Sequence, residues 1–195
     1  FMATDRPEMF SALLDVIHQW DKRQIELLLD TPADFIIRRG YYEGTIFWSP
    51  ALYRQFFAPR LKELTDMVHQ SSRLMGYTMS VGFMPLLDIF REIGYDAHYL
   101  FDPIAGGSRV DLRQVKSSLD KQIAIIGGLN EPITLERGRR EEIWQEVLDA
   151  VRILGPGGGL ALSPAEGIFA STPWESIQVL IEAWKEVRDY PITAW

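Results

Sequence analysis

The sequence predicts an α/β fold in which about five parallel strands alternate with covering helices. Three observations predict it. Short apolar runs of strand length alternate with longer stretches of helical periodicity. Pro, Gly, Ser and Thr punctuate the changes, and polar clusters follow several of the strands.

Glu8 to Asp30 carries Phe10, Leu13, Leu14, Ile17 and Trp20 at helical spacing, then Ile25 and Leu28, and is read as an amphipathic leading helix within residues 1–31. Thr31-Pro32 breaks it. Asp34-Phe35-Ile36-Ile37 is the first strand and runs into the polar loop Arg38-Arg39-Gly40-Tyr41-Tyr42-Glu43-Gly44. Ser49-Pro50 supplies an N-cap and a first-turn proline for a helix through Leu52, Phe56, Leu61, Leu64 and Val68, ending near Ser71. The alternation continues with strand Tyr77 to Val81, helix Met84 to Ile93, strand Ala97 to Phe101, helix Leu112 to Leu119 and strand Ile123 to Ile126. Thr134 begins another long helix, and Gly155-Pro156-Gly157-Gly158-Gly159 stops it and turns into strand Leu160 to Leu162. Thr172-Pro173 opens the last helix, with Ile177, Leu180, Ile181 and Trp184. Such a pattern suits a (β/α)8 TIM barrel with about five βα units present, or a doubly wound sheet. A whole barrel takes about 250 residues. The barrel reading therefore calls for missing upstream units, or for a partner over the open edges, a homodimer among the candidates.

With 195 residues, 47% of them hydrophobic and 24% charged, one domain over residues 1–195 is expected. A formal net charge of −7 argues against a nucleic-acid partner, which needs clustered Lys and Arg. The absence of cysteine removes disulfides and thiolate metal sites and favours the cytoplasm. No apolar run approaches the roughly 20 residues that span a bilayer, and no signal peptide is legible, so no membrane partner is expected. The glycine run lacks the Lys-Ser/Thr ending of a phosphate loop, and Ser80 and Ser163 lack the escort of a hydrolase triad. His18, His69 and His98 stand far apart and are read as structural.

Several landmarks, in order, carry a family resemblance. They are Ser49-Pro50 with Ala58-Pro59 downstream, Ile93-Gly94-Tyr95-Asp96-Ala97 leading to Phe101-Asp102-Pro103, Gly127-Gly128-Leu129-Asn130-Glu131-Pro132, and Glu166-Gly167-Ile168 before Thr172-Pro173-Trp174. From about Asp34 to Pro191 this order resembles the C-terminal part of the uroporphyrinogen decarboxylase superfamily, which includes corrinoid-dependent methyltransferases. The resemblance implies the later part of a (β/α)8 barrel and a small-molecule substrate, tetrapyrrole or corrinoid-linked. It places Glu166 where the decarboxylases carry His in Gly-His-Gly-Ile and the methyltransferases carry Cys. Met79 and Val81 fall where the methyltransferases carry a His-x-Cys pair, so their zinc thiolate site is not expected. The decarboxylases' arginine-rich segment and polarising aspartate would lie before residue 1.

Glu166, Asp102 and Glu43 are the candidate catalytic residues, and Arg38, Arg39, Tyr41, Tyr42 and Asn130 the candidate substrate-binding ones. Arg38 and Arg39 end a strand, where guanidinium groups grip carboxylates bidentately, although neighbours on a strand point opposite ways. A salt bridge to Glu43 or Asp34 is the structural alternative for the pair. Tyr41, Tyr42 and Glu43 offer hydroxyls and a proton carrier, or simple loop packing. Asp102 precedes Pro103 at a strand end, a place for a functional carboxylate and equally for a turn. Asn130 offers its amide to a ligand or closes a turn. Glu166 is open to three readings: a hard-metal ligand, an acid or base, and an arginine partner. No cofactor or metal ligand is assigned. Decarboxylation of a tetrapyrrole or similar polycarboxylate is the leading expectation. The alternatives are a methyl transfer without the usual zinc ligands and a truncated barrel that binds without turnover.

Overall fold

The computed structural model describes residues 1–105, 108–119, 122–189 and 191–192. A short turn of helix, α1 (Met2–Asp5), leads into α2 (Pro7–Leu29), which opens on a first-turn proline. Thr31 accepts the exit, its hydroxyl donating to the Leu28 carbonyl at 2.6 Å, and the chain enters β1 (Phe35–Arg39). The helix expected over residues 50–71 is two helices, α3 (Pro50–Phe56) and α4 (Ala58–Gln70). Ser49 caps the first through its hydroxyl, which accepts the Leu52 amide at 3.2 Å. Pro59 has no amide to continue the ladder, so the axis breaks at Phe57.

Next come β2 (Leu74–Thr78), a 3₁₀ turn at Met84–Leu86 running into α5 (Leu87–Ile93), and β3 (Ala97–Phe101). Strand β2 lies three residues earlier than the sequence suggests, because Leu74 bonds the Asp34 carbonyl and fixes its register against β1. Gly94 closes α5 at φ 75°, and its amide donates to Phe90. A two-stranded antiparallel ribbon, β4 (Ile104–Ala105) with β5 (Ser108–Arg109), precedes α6 (Leu112–Leu119) and is too short for periodicity to reveal. Then follow β6 (Ala124–Leu129), α7 (Arg140–Leu154), β7 (Leu160–Pro164) and α8 (Trp174–Val187). The helix expected from Thr134 starts only at Arg140. Before it, Glu131–Leu135 forms a single π-type turn in which the Leu135 amide reaches back to Asn130 and that of Glu136 to Glu131.

Strands β1, β2, β3, β6 and β7 form one sheet in that order, every pair parallel. This is the α/β arrangement of a partial barrel. Alternate residues divide its faces. Ile36, Met75 and Ile125 point into the core built with Leu61, Leu64, Val68, Phe90 and Leu119 from the helices. Ile37, Tyr99 and Ile126 take the other face and remain partly open. At Gly127 the strands approach so closely that a Cβ would lie 2.4 Å from the Phe101 carbonyl, beside the irregularity at Leu100.

His98 faces the helices, packed on Phe83 and Phe90. Its Nε2 donates to the Met79 carbonyl at 2.8 Å, so Nδ1 accepts the Tyr95 hydroxyl at 3.0 Å and the ring is neutral. Burial lowers its pKa to about 4. Between that value and the ordinary 6.5 the unfolded chain binds more protons, so stability falls as pH drops through this window. The expected loss is about 2 kcal/mol between pH 7 and pH 5, read by urea unfolding. Buried Asp102 and Glu146, whose carboxyls are raised, act in the opposite sense, so comparison with His98→Gln isolates the imidazole. The other histidines also have partners: His18 donates to Glu63 and His69 to Asp96, both at 2.8 Å.

Candidate active site

Two polar groups stand at the C-terminal ends of the strands, one at the β1 edge and one over β3, β6 and β7. At the first, alternation turns Arg38 toward the helices and Arg39 to the opposite face, where it is exposed. Arg38 makes a two-pronged pair with Glu43, Nη1 to Oε2 at 2.8 Å and Nη2 to Oε1 at 2.6 Å, and also reaches Asp21 on α2 at 3.3 Å. Glu43 accepts the Tyr77 hydroxyl at 2.5 Å, and Tyr77 in turn accepts that of Tyr53 at 3.3 Å. Burial disfavours the Arg38 charge, but the charge and hydrogen bonds of Glu43 outweigh it and raise the guanidinium's pKa. Burial raises the hydroxyls of Tyr77 and Tyr53 far above the ordinary tyrosine range. Tyr41 is half-buried. Tyr42 is exposed, edge-on to Phe47, and its carbonyl accepts the Trp48 indole N–H at 2.8 Å.

The second group is built on Asn130. As N-cap of the π-type turn, its Oδ1 accepts the Ile133 amide at 2.8 Å, and its Nδ2 donates to both oxygens of Asp102 at 3.0 Å. Asp102, directly after β3 and only 5% exposed, also accepts the Ile104 amide at 2.8 Å. The turn reading and the strand-end carboxylate reading are thus compatible in one residue. Burial raises the Asp102 pKa, the bonds from Asn130 and Ile104 partly offset this, and the nearby charge of Glu166 adds to the rise. Glu166 itself is exposed, just after β7, where the Ala165 amide holds to the Leu129 carbonyl at 2.8 Å.

Sequence reasoning missed three carboxylate and arginine positions here. Glu146 on α7 is 2% exposed and accepts the Asn130 backbone amide at 2.7 Å and the Thr134 hydroxyl at 2.9 Å. Arg109 of β5 reaches the same carboxylate at 3.3 Å. Glu131 is buried, and one of its oxygens accepts the Thr172 hydroxyl at 2.5 Å. With the Ser171 bond to Glu136 at 3.1 Å, this fastens the Glu166-bearing loop to the segment after β6. The legible signal for Glu146 was an acid on the apolar stripe Ile143, Val147, Ala150 and Val151. Arg109 and Glu131 carried none.

The structure brings Asp102, Asn130 and Glu166 together and keeps them apart from Arg38, Arg39 and Glu43, with β2 between the two strand ends. Among the described residues, no three His, Asp or Glu side chains are grouped to hold a metal, and no helix is long and apolar enough to cross a membrane.

A parallel βα sheet with carboxyl side chains at its C-terminal edge defines a partial (β/α) barrel. The chain belongs to the uroporphyrinogen decarboxylase (URO-D) family, whose model matches residues 1–187. Uroporphyrinogen decarboxylases of Coxiella burnetii, from strains Dugway 5J108-111, RSA 331 / Henzerling II and RSA 493 / Nine Mile phase I, are each 25% identical over 187 residues. The match covers 93% of this chain and 48% of each relative, so the chain spans about half their length. A methyltransferase from Methanosarcina mazei shares the fold, with a TM-score of 0.76 and 20% identity over 96% of this chain and 52% of its own.

Proposed function

We propose that this chain carries the proton-handling part of a decarboxylase-like lyase acting on a tetrapyrrole or similar polycarboxylate, with Asp102 as proton donor and Glu166 as its exposed partner. The carrying observation is Asp102: a buried carboxyl at a strand end, with its proton affinity raised by burial and by Glu166. Protonation of a ring carbon lets the ring accept the C–C electron pair as CO2 leaves; the methylene that remains then takes a proton as the ring gives one up, so one proton is consumed for each CO2 released. A carboxyl whose pKa is raised carries its proton in a larger fraction of molecules at the working pH and so is available as a donor there. Asn130 orients the donor, while Arg39, Tyr41 and Tyr42 at the other rim are the candidates for gripping substrate carboxylates. Arg38 and Glu43 have a smaller part in this reading because each already holds the other. That mutual engagement favours the second reading, a barrel that binds such a ligand without turnover. Methyl transfer is weaker, since Met79 is sealed in the core and Val81 offers no ligating atom.

The test is anaerobic incubation of the purified protein with a porphyrinogen bearing acetate and propionate side chains, followed by mass analysis. Loss of CO2 supports the lyase. Quenching of the exposed Trp174 without CO2 loss supports the binding reading, and neither response rejects both.

A further inference from the structure

Glu146 occupies a place where its chemistry is costly. The buried face of α7 is otherwise apolar apart from this residue, with Ile143, Val147, Ala150, Val151 and Leu154 around it. Burying a carboxylate is unfavourable unless its oxygens are bonded, and an apolar side chain of similar volume would stabilise the helix contact at least as well. What Glu146 does there is specific. One oxygen accepts the backbone amide of Asn130 at 2.7 Å, and the other accepts Thr134 at 2.9 Å and Arg109 at 3.3 Å. Asn130 follows β6 just after Gly127 and Gly128, both at positive φ, so the strand end has little side-chain support of its own. The same Asn130 presents its amide to both Asp102 oxygens.

We propose that Glu146 is a positioning residue for Asp102: by anchoring the Asn130 backbone from α7, it fixes the donor that orients the Asp102 carboxyl at the sheet's C-terminal edge. The inference rests on the reading of Asp102 as the proton donor, but its physical part is measurable without turnover. The charged groups around the pair are Glu166 after β7, Arg109 on β5 and, beyond Arg109, Glu142 on α7.

The experiment compares Glu146→Ala with Glu146→Gln. Both remove the charge, and only Ala removes the oxygen that accepts from Asn130. Asp102 is titrated by carboxyl carbon NMR of the labelled protein, its signal assigned by its loss in Asp102→Asn. The Asn130 bond lowers the Asp102 pKa, so a released Asn130 lets it rise: Asp102 in the Ala variant is expected about one unit above the Gln variant. Turnover is expected to fall about tenfold in Ala and to recover in Gln. Equal Asp102 titration in the two variants overturns the inference. Should the Ala variant not fold, Glu146→Asp keeps the charge and withdraws the acceptor by one methylene. Its Asp102 pKa should then exceed that of the wild type, and an unchanged value overturns the inference. A shift without any wild-type turnover sinks the lyase reading and leaves the positioning role standing. Turnover without a shift does the reverse.

Discussion

Replacing Asp102 by Asn is expected to lower turnover by about 100- to 10,000-fold, the range a positioned general acid contributes. The substitution keeps the shape of the side chain. Its remaining oxygen still accepts from Ile104 or Asn130, so the loss of one neutral bond costs about 1 kcal/mol of stability. A large rate effect on a nearly unchanged unfolding curve would separate chemistry from packing. The companion variant Glu166→Gln tests the electrostatic link. Glu166's charge raises the Asp102 pKa, so its removal lowers that value and moves the alkaline limb of the pH–rate profile to lower pH. An Asp102→Asn protein with full turnover would assign the residue to the turn alone.

The second large effect is on stability. Glu43→Ala leaves the Arg38 guanidinium with the longer Asp21 bonds and the face of the Tyr77 ring, and removes the acceptor of the buried Tyr77 hydroxyl. Breaking one side of a largely buried pair costs about 3–5 kcal/mol, a large share of the 5–15 kcal/mol typical of a folded domain. The pair as a whole is worth much less against an apolar replacement. The double variant Arg38→Met with Glu43→Leu is therefore expected to regain part of that loss in urea unfolding, the Tyr77 hydroxyl still lacking its acceptor. Glu43 was a catalytic candidate by its place in a strand-end loop. If that role is the important one, Glu43→Ala will instead abolish turnover with stability almost intact.

Most of the fold was legible because periodicity and punctuation are local. The five βα units, Ser49-Pro50 as a helix start and the glycine run before β7 all follow from neighbours in sequence. Boundaries set by distant contacts were not. Strand β2 took its register from β1, and the break at Phe57 came from a proline that the apolar periodicity concealed. The turn after β6 became π-type because Asn130 caps it while Glu146 holds it from α7 through the Asn130 amide and the Thr134 hydroxyl.

The site divides in the same way. The strand-end position of Asp102 was readable from the sequence, since parallel βα units present their loops at one edge, whereas Asn130 was read within a turn and Glu166 was marked by the family resemblance. Which of these residues meet was decided by strand order, which sets β3, β6 and β7 side by side and β1 at the far edge. Alternation on β1 predicted that Arg38 and Arg39 would part. The salt bridge to Glu43 was one of the alternatives the sequence offered; packing and the position of Tyr77 selected it over Asp34 and added Asp21 on α2. The sequence by itself determined the alternation of five main strands with helices, because that depends on spacing of a few residues. Tertiary structure decided which charge pairs form and how proton affinities shift, because those depend on burial and largely on partners tens of residues away.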